Sequence, residues 1–163
     1  MMRRNVRRTA SAMPGLDIAE QRSWQNFLTT TMGMFGALNR KLMDAHQLTL
    51  ADVKILAILR DSPVDGARMG DLAEALLSHP SRITRHISRL EDEGLVLRTP
   101  RPGDRRVVVA TSTDKGRKML QKANVTYAEA VRSEFLGHLS RPQIAALGES
   151  CRQIGAAFTD PEQ

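Results

Sequence analysis

Apolar residues recur at helical spacing between Pro80 and Gly94. The predicted buried face holds three aliphatic residues at intervals of four and three, Ile83, Ile87 and Leu90. Pro80 suits the first helical turn because its missing N–H needs no partner there, and Ser78 or Ser81 can cap the free amides. Gly94 suits the end of the helix, where a left-handed backbone is common. The pattern therefore predicts a helix with an apolar back and a polar front.

The polar front of this predicted helix is basic. It holds five side chains that can donate hydrogen bonds, Ser81, Arg82, Thr84, Arg85 and Arg89. A helix of this kind can pack on a domain and enter the major groove of DNA. A solvated charge stripe on a surface helix has the same spacing. The helix alone leaves both interpretations open.

Two short β-prone runs follow the helix, at residues 95–98 and 107–109. The segment between them is rich in Pro, Gly and Arg, which predicts a turn. We therefore expect a β-hairpin with a basic tip, whose arginines are Arg101, Arg105 and Arg106. A helix followed by a basic hairpin is the arrangement of a winged helix-turn-helix, in which the hairpin contacts phosphates or the minor groove. This order of elements favours DNA binding over a solvated stripe.

Helical patterns precede this central unit. Residues 17–46 carry a mostly apolar series at heptad-like spacing, Trp24, Leu28, Thr31, Phe35, Leu38 and Leu42. The next helix is predicted to start at Thr49, which forms a capping-box-like pair with Asp52, and to end near residue 60. Residues 61–68 resemble a loop, and residues 70–77 fit the first helix of the helix-turn-helix.

Two further helices are predicted after the hairpin. Thr113 can cap a helix that runs to about Leu139, and Pro142 marks the start of the last one. The last helix has an apolar series at intervals of three and four residues, Ile144, Leu147, Cys151, Ile154 and Phe158. A palindromic DNA site requires a two-fold axis between two recognition helices. We therefore expect a homodimer with these five side chains in its interface.

Short motifs in a fixed order resemble the MarR family of bacterial transcriptional regulators over roughly residues 48–116. These motifs are Leu48-Thr49, Gly70-Asp71-Leu72-Ala73, Ser81-Arg82-Ile83-Thr84-Arg85, Arg89-Leu90-Glu91, Gly94-Leu95-Val96, Asp104-Arg105-Arg106 and Thr113-Asp114-Lys115-Gly116. Two positions depart from the family pattern. Leu77 stands near the place of a usual Gly, and Ser112 stands where an apolar residue usually precedes the next helix.

The resemblance implies a mainly α fold, a winged helix-turn-helix with a two-stranded β-wing and flanking dimerisation helices. The corresponding division is a flexible basic tail, an N-terminal dimerisation helix, a DNA-binding domain and C-terminal dimerisation helices, at residues 1–16, 17–47, 48–112 and 113–163. The resemblance also implies that Asp104 pairs with Arg106 and holds the shape of the wing.

The family resemblance further implies a repressor of nearby genes that a small-molecule ligand releases from a palindromic operator. Family pockets lie where the DNA-binding lobe meets the dimer helices. Candidate pocket residues here are Trp24, Phe27, Met34, Leu56 and Tyr127. The identity of the effector does not follow from the resemblance.

Charge and composition refine this interpretation only slightly. The formal net charge is +6, and four of these charges come from the tail arginines Arg3, Arg4, Arg7 and Arg8. A hydrophobic content of 41% suffices for a core. No apolar run approaches the length of a membrane span, and no secretory signal follows the tail arginines. One cysteine makes no internal disulfide, which fits a reducing cytoplasm.

The sequence shows no pattern typical of catalysis. The four histidines lie at scattered positions without metal spacing, His46, His79, His86 and His138. No phosphate-binding glycine loop and no nucleophile–base set is recognisable. We expect no enzymatic activity, no metal and no cofactor, and we expect His79 and His86 to be solvated surface residues.

Two other functions remain open. A redox-sensing repressor would act through Cys151, although Leu147 and Ile154 share its helix face and predict a shielded, structural thiol. A non-specific architectural protein or a DNA-acting enzyme would bind DNA without a sequence-specific footprint. The expected partners are double-stranded DNA, a second copy of the chain and a small effector, with no membrane.

Overall fold

The structure is a computed structural model that describes residues 13–62, 66–101 and 103–159. Within these ranges, the side chains of Arg105, Phe158 and Thr159 are not described. The four arginines of the predicted basic tail lie outside the described residues. The chain divides into two compact units, residues 1–36 and residues 37–163.

Helices dominate the described residues. In chain order the elements are α1 (Ile18–His46), α2 (Leu50–Asp61), β1 (Ala67–Arg68), α3 (Met69–Ala75), α4 (Pro80–Asp92), β2 (Val96–Arg101), β3 (Asp104–Ser112), α5 (Asp114–Glu134), a 3-10 helix (Leu136–His138) and α6 (Arg141–Thr159). This order confirms the predicted mainly α, winged helix-turn-helix fold. None of the described helices combines the length and apolar character needed to cross a membrane.

The wing is the hairpin of β2 and β3, and a third strand extends it into a sheet of order β1-β3-β2. The two-stranded wing is confirmed, whereas the loop predicted over residues 61–68 contains the short strand β1. Its residue Ala67 pairs with Ala110 in antiparallel register. Gly66 permits this close approach, since a Cβ atom there would lie 2.6 Å from the carbonyl oxygen of Ala110.

The core of the second unit lies between the helices and the sheet. Ile83, Ile87 and Leu90 of α4 are buried, as their spacing predicts. They share this core with fully buried residues of α1, α2, α3, α5, the strands and the loops between them, Leu42, Leu48, Ile55, Leu56, Leu72, Leu95, Val96, Val109 and Leu120. Burial of aliphatic side chains is the main favourable contribution to the stability of such a unit.

The apolar series of α1 is buried only at its C-terminal end. Leu38 and Leu42 are buried within the second unit. In the first unit several large apolar residues of this helix are exposed, among them Trp24, Phe27, Leu28, Met32 and Phe35, whereas Met34 is half-buried. The rings of Trp24 and Phe27 lie 6.0 Å apart between centroids. An exposed apolar surface of this extent is typical of an interaction site.

Helices α5 and α6 differ from their predicted forms. Helix α5 ends at Glu134 instead of near Leu139, because Phe135 leaves the helical backbone region (φ −135°, ψ −69°) and a 3-10 turn follows. On α6, Ile144 and Leu147 are half-buried, whereas Cys151 and Ile154 are exposed. The expectation that neighbours on α6 shield Cys151 was therefore wrong for the single chain, in which Cys151 is exposed.

Candidate nucleic-acid interface

The N-terminus of α4 begins at a histidine cap. His79 has extended backbone angles (φ −67°, ψ 137°), and its Nδ1 accepts a hydrogen bond from the Ser81 N–H at 3.3 Å. Pro80 occupies the first helical turn, as predicted. The prediction that Ser78 or Ser81 caps the helix was wrong. The imidazole Nδ1 stands as many bonds from the backbone as an Asn side-chain oxygen, so it can replace the usual cap.

The outward face of α4 consists of four exposed side chains, Ser81, Arg82, Thr84 and Arg85. The Thr84 hydroxyl donates to the carbonyl oxygen of Pro80 at 3.0 Å. Within the described part of the chain, neither the Arg82 guanidinium nor the Arg85 guanidinium has a hydrogen-bond or ion-pair partner. Two fixed positive charges thus remain available on one side of the helix.

Arg89, predicted to belong to this polar front, contacts the protein interior instead. Its guanidinium donates to Oδ2 of Asp52 on α2. His86, one turn away, has its Nδ1 at 2.8 Å from Oδ1 of the same carboxylate. The expectation that His86 is a solvated surface residue was wrong, because the buried carboxylate of α2 holds its ring.

Asp52 is fully buried and accepts hydrogen bonds through both carboxylate oxygens. Thr49 donates to Oδ2 through its N–H and its hydroxyl, both at 2.6 Å, which confirms the predicted capping pair. Burial acts to raise the pKa of Asp52, but the hydrogen bonds from Thr49, Arg89 and His86 outweigh it and hold the pKa below its ordinary value. Asp52 is therefore ionised at neutral pH.

The shape of the wing tip depends on Asp104. Its Oδ1 accepts a hydrogen bond from the backbone N–H of Arg106 at 3.1 Å. Asp104 thus contacts Arg106 as the resemblance implies, but through the Arg106 backbone: among the described ion pairs none joins the two side chains, and both side chains are exposed. A carboxylate that bonds its own backbone two residues on is a common turn device. Asp104 thus holds the turn through the Arg106 backbone, and the Arg106 side chain is exposed.

The other wing arginines differ in their surroundings. Arg101 is half-buried, and with Arg68 and Asp71 it lines a cavity of about 570 Å³ beside α3. The side chain of Arg105 lies outside the described part of the structure. Of the two predicted wing contacts whose side chains the structure describes, Arg106 is exposed and Arg101 is half-buried.

An ion pair ties the wing to α4. Arg98 of β2 donates through Nε to Glu91 at 2.7 Å and through its backbone N–H at 3.2 Å. Hydrogen bonds from Arg98 hold the pKa of Glu91 below its usual value. Helix and hairpin thus present their basic groups from one connected body.

The candidate pocket residues lie in both units of the chain. Trp24, Phe27 and Met34 belong to the first unit, where the two aromatic side chains are exposed. In the second unit Leu56 is fully buried in the core and Tyr127 is half-buried. The pocket stays a prediction. Among the described residues, no cluster of His, Cys, Asp or Glu is placed to hold a metal ion.

Comparison with known proteins decides the family. The model of the MarR family matches residues 48–108. The transcriptional regulator HosA of Escherichia coli O111:H- is 32% identical over 93 residues, 57% of this chain and 67% of that protein. The chain belongs to the MarR family. The matched residues run from the cap of α2 into the wing, so the outward face of α4 lies inside the MarR region.

Two further similarities extend beyond this region. The HTH-type transcriptional repressor MdtR of Bacillus subtilis (strain 168) is 26% identical over 122 residues, 74% of this chain and 77% of that protein. Sco3205, a MarR family transcriptional regulator from Streptomyces coelicolor, has a crystal structure in complex with DNA. It matches with a TM-score of 0.83 and 28% identity over 91% of this chain and 96% of that chain.

Proposed function

We propose that this MarR family protein is a sequence-specific regulator that binds double-stranded DNA at a palindromic operator as a homodimer. We further propose that it represses nearby genes and that a small-molecule effector releases it. The observation that carries the proposal is the outward face of α4, where the side chains of Arg82 and Arg85 are exposed and have no partner among the described residues.

The chemistry of this face suits base recognition. An α-helix fits the major groove of B-DNA, and an arginine there can donate two hydrogen bonds to O6 and N7 of guanine. The hydroxyl of Ser81 can contact a base or a phosphate. Arg106 on the wing supplies a second positive group for the backbone or the minor groove. Arg101 and Arg105 are proposed to add to this contact.

The dimer is supported by exposed apolar surface. Exposed aromatic and aliphatic side chains on the first half of α1, and Ile154 on α6, are of the kind that a second copy buries. The solved DNA complex of Sco3205 and the repressor designation of MdtR support the DNA-bound, repressing state.

Selection from a library of random DNA duplexes tests the proposal. We expect enrichment of a palindrome whose half-sites lie about one helical turn, roughly 10 base pairs, apart. The Arg82→Ala/Arg85→Ala double variant is the control, and it should fold normally and enrich no sequence. If the wild-type protein retains duplexes without enriching any motif, it is a non-specific architectural protein and the proposal fails.

A further inference from the structure

One buried carboxylate of α2 holds two side chains of the recognition helix α4. Asp52 Oδ1 binds His86, 34 residues away in the chain, and Oδ2 binds Arg89, 37 residues away. No buried side-chain polar atom in the described part of the structure lacks a hydrogen-bond partner. The contact is thus a complete link between two helices of the DNA-binding unit.

We propose that Asp52 is a positioning residue for DNA recognition, which fixes the rotation of α4 about its own axis through His86 and Arg89. In this arrangement Arg82 and Arg85 face outward, and Arg89 acts within the protein rather than on DNA. The inference rests on the proposed function, because it concerns how the same face of α4 meets DNA.

The apolar back of α4 cannot by itself fix this rotation closely. Contacts of Ile83, Ile87 and Leu90 with the core are non-directional, whereas hydrogen bonds weaken steeply when their angles change. His86 and Arg89 lie three residues apart, on one flank of the helix, so both bonds must break or stretch if the helix turns. A rotation of about 20° at the ~6 Å radius of a helix with side chains moves a side-chain tip by about 2 Å.

The negative charge of Asp52 allows a positioning role to be distinguished from a direct electrostatic effect on DNA binding. Asp52 is an anion in a unit that binds a polyanion, so its direct electrostatic effect opposes DNA binding. Replacing it by a neutral side chain would strengthen binding to every duplex if only charge mattered. If Asp52 positions α4, the same replacement weakens binding to the operator, where bases are read, and spares binding to scrambled DNA.

Asp52→Asn tests whether removal of this charge weakens or strengthens operator binding. We expect the operator dissociation constant to rise at least tenfold, while the constant for a scrambled duplex stays equal or falls. Asp44→Asn is the matched control, because Asp44 is an exposed residue of α1 and loses the same charge. Circular dichroism and sedimentation establish that each variant is a folded protein of the wild-type assembly state.

Arg89→Gln provides an independent test, because its side chain is 38% exposed and its loss leaves the core side chains in place. If Arg89 is an internal partner of Asp52, Arg89→Gln leaves the salt dependence of DNA binding unchanged and lowers operator affinity about fivefold or more. As a phosphate contact, it would lower the log–log slope against salt by about 0.9 and weaken both duplexes.

The outcomes separate this inference from the proposed function. If the wild-type protein binds operator and scrambled DNA alike, the proposed function is wrong and this inference falls with it. If the wild-type protein discriminates and Asp52→Asn discriminates equally well, only the positioning role is overturned. If Asp52→Asn fails to fold, the salt slope of Arg89→Gln decides, and a slope reduced by one phosphate contact refutes the inference.

Discussion

Leu77 combines a strained backbone with an exposed side chain. It lies in the turn between α3 and α4 with φ +46°, and 89% of its surface is accessible. A side chain in the left-handed region costs about 1–2 kcal/mol. The resemblance to the MarR family implies a usual glycine near this position, and here a leucine adopts the left-handed backbone.

Replacing Leu77 by glycine should stabilise the protein. The relief of backbone strain exceeds the extra chain entropy of glycine, about 0.5–1 kcal/mol, so we expect a gain of about 0.5–1 kcal/mol. In thermal unfolding this corresponds to an increase of about 1–4 °C in Tm. Leu77→Ala keeps the Cβ and should leave the Tm unchanged. A Tm of Leu77→Gly below that of Leu77→Ala would show that the turn is not strained.

The ionised carboxylate of Asp52 makes the free energy of unfolding depend on pH in the acidic range. Its pKa is lower in the folded chain than in the unfolded chain, so the unfolded state binds the proton more readily. The stabilisation by Asp52 is therefore complete above the unfolded pKa, about 3.9, and is lost as pH falls through the folded value. The free energies of unfolding of wild type and Asp52→Asn should differ by a constant amount at neutral pH and converge below about pH 4. Chemical denaturation measures both free energies across this pH range. If their difference does not change between neutral pH and the range below about pH 4, the claim that ionised Asp52 stabilises the fold is wrong.

Local spacing predicts which side of a helix is buried, but not which polar residue meets a distant partner. The intervals between Ile83, Ile87 and Leu90 identified the apolar back of α4, and the short spacing of Thr49 and Asp52 identified the cap of α2. The two residues of α4 that Asp52 binds lie 34 and 37 positions along the chain. No periodic pattern relates residues at such a separation, so Arg89 was assigned to the DNA-facing front.

At the scale of elements, one joint connects the recognition helix to α5. The Leu95 N–H bonds the Leu90 carbonyl at 2.8 Å across Gly94, whose φ is +69°, and this turn ends α4. The Thr113 hydroxyl then donates to the Gly94 carbonyl at 2.8 Å and accepts from the Gly116 N–H at 3.0 Å. The start of α5 is thus locked onto the end of α4.

Gly116→Ala should destabilise this joint. A Cβ there would collide with the Leu95 carbonyl oxygen and lie 2.9 Å from Ser112 Oγ, and the backbone must move to admit it. We expect a loss of about 1–3 kcal/mol in the free energy of unfolding, measured by denaturant titration. Gly70→Ala in α3 is the control: nothing lies within 4 Å of its Cβ position, so the variant should be neutral or slightly stabilised. Equal effects of the two substitutions would contradict the close packing.

The elements that could not be predicted from the sequence are short or irregular. Strand β1 has only two residues, Ala67 and Arg68, which cannot show a period of two. Its formation depends on a close approach at Gly66 to a strand more than 40 positions later, a tertiary contact. Phe135 ends α5 through backbone angles that cannot be predicted from its residue type. The long helices and the hairpin were predictable because their patterns repeat.

At the scale of the whole molecule, α6 carries an apolar series that is half-buried at Ile144 and Leu147 and exposed at Cys151 and Ile154. Leu147→Asp should place a charge in the contact between two copies and yield folded monomers. Sedimentation velocity measures the assembly state, and circular dichroism reports retained helix. Ala145→Asp adds the same charge to an exposed position of α6 and should remain dimeric. If folded Leu147→Asp sediments as a normal dimer, the two-fold axis does not lie at α6.

Direct measurement of sequence discrimination tests the central claim, that the outward face of α4 reads DNA bases. Fluorescence anisotropy at physiological salt gives the ratio of dissociation constants for scrambled and operator duplexes. We expect a ratio of about 10³ or more for the wild-type protein. Arg85→Ala should lose about 1–3 kcal/mol on the operator and little on scrambled DNA. A wild-type ratio near one, or an equal loss on both duplexes, would contradict base reading by this helix.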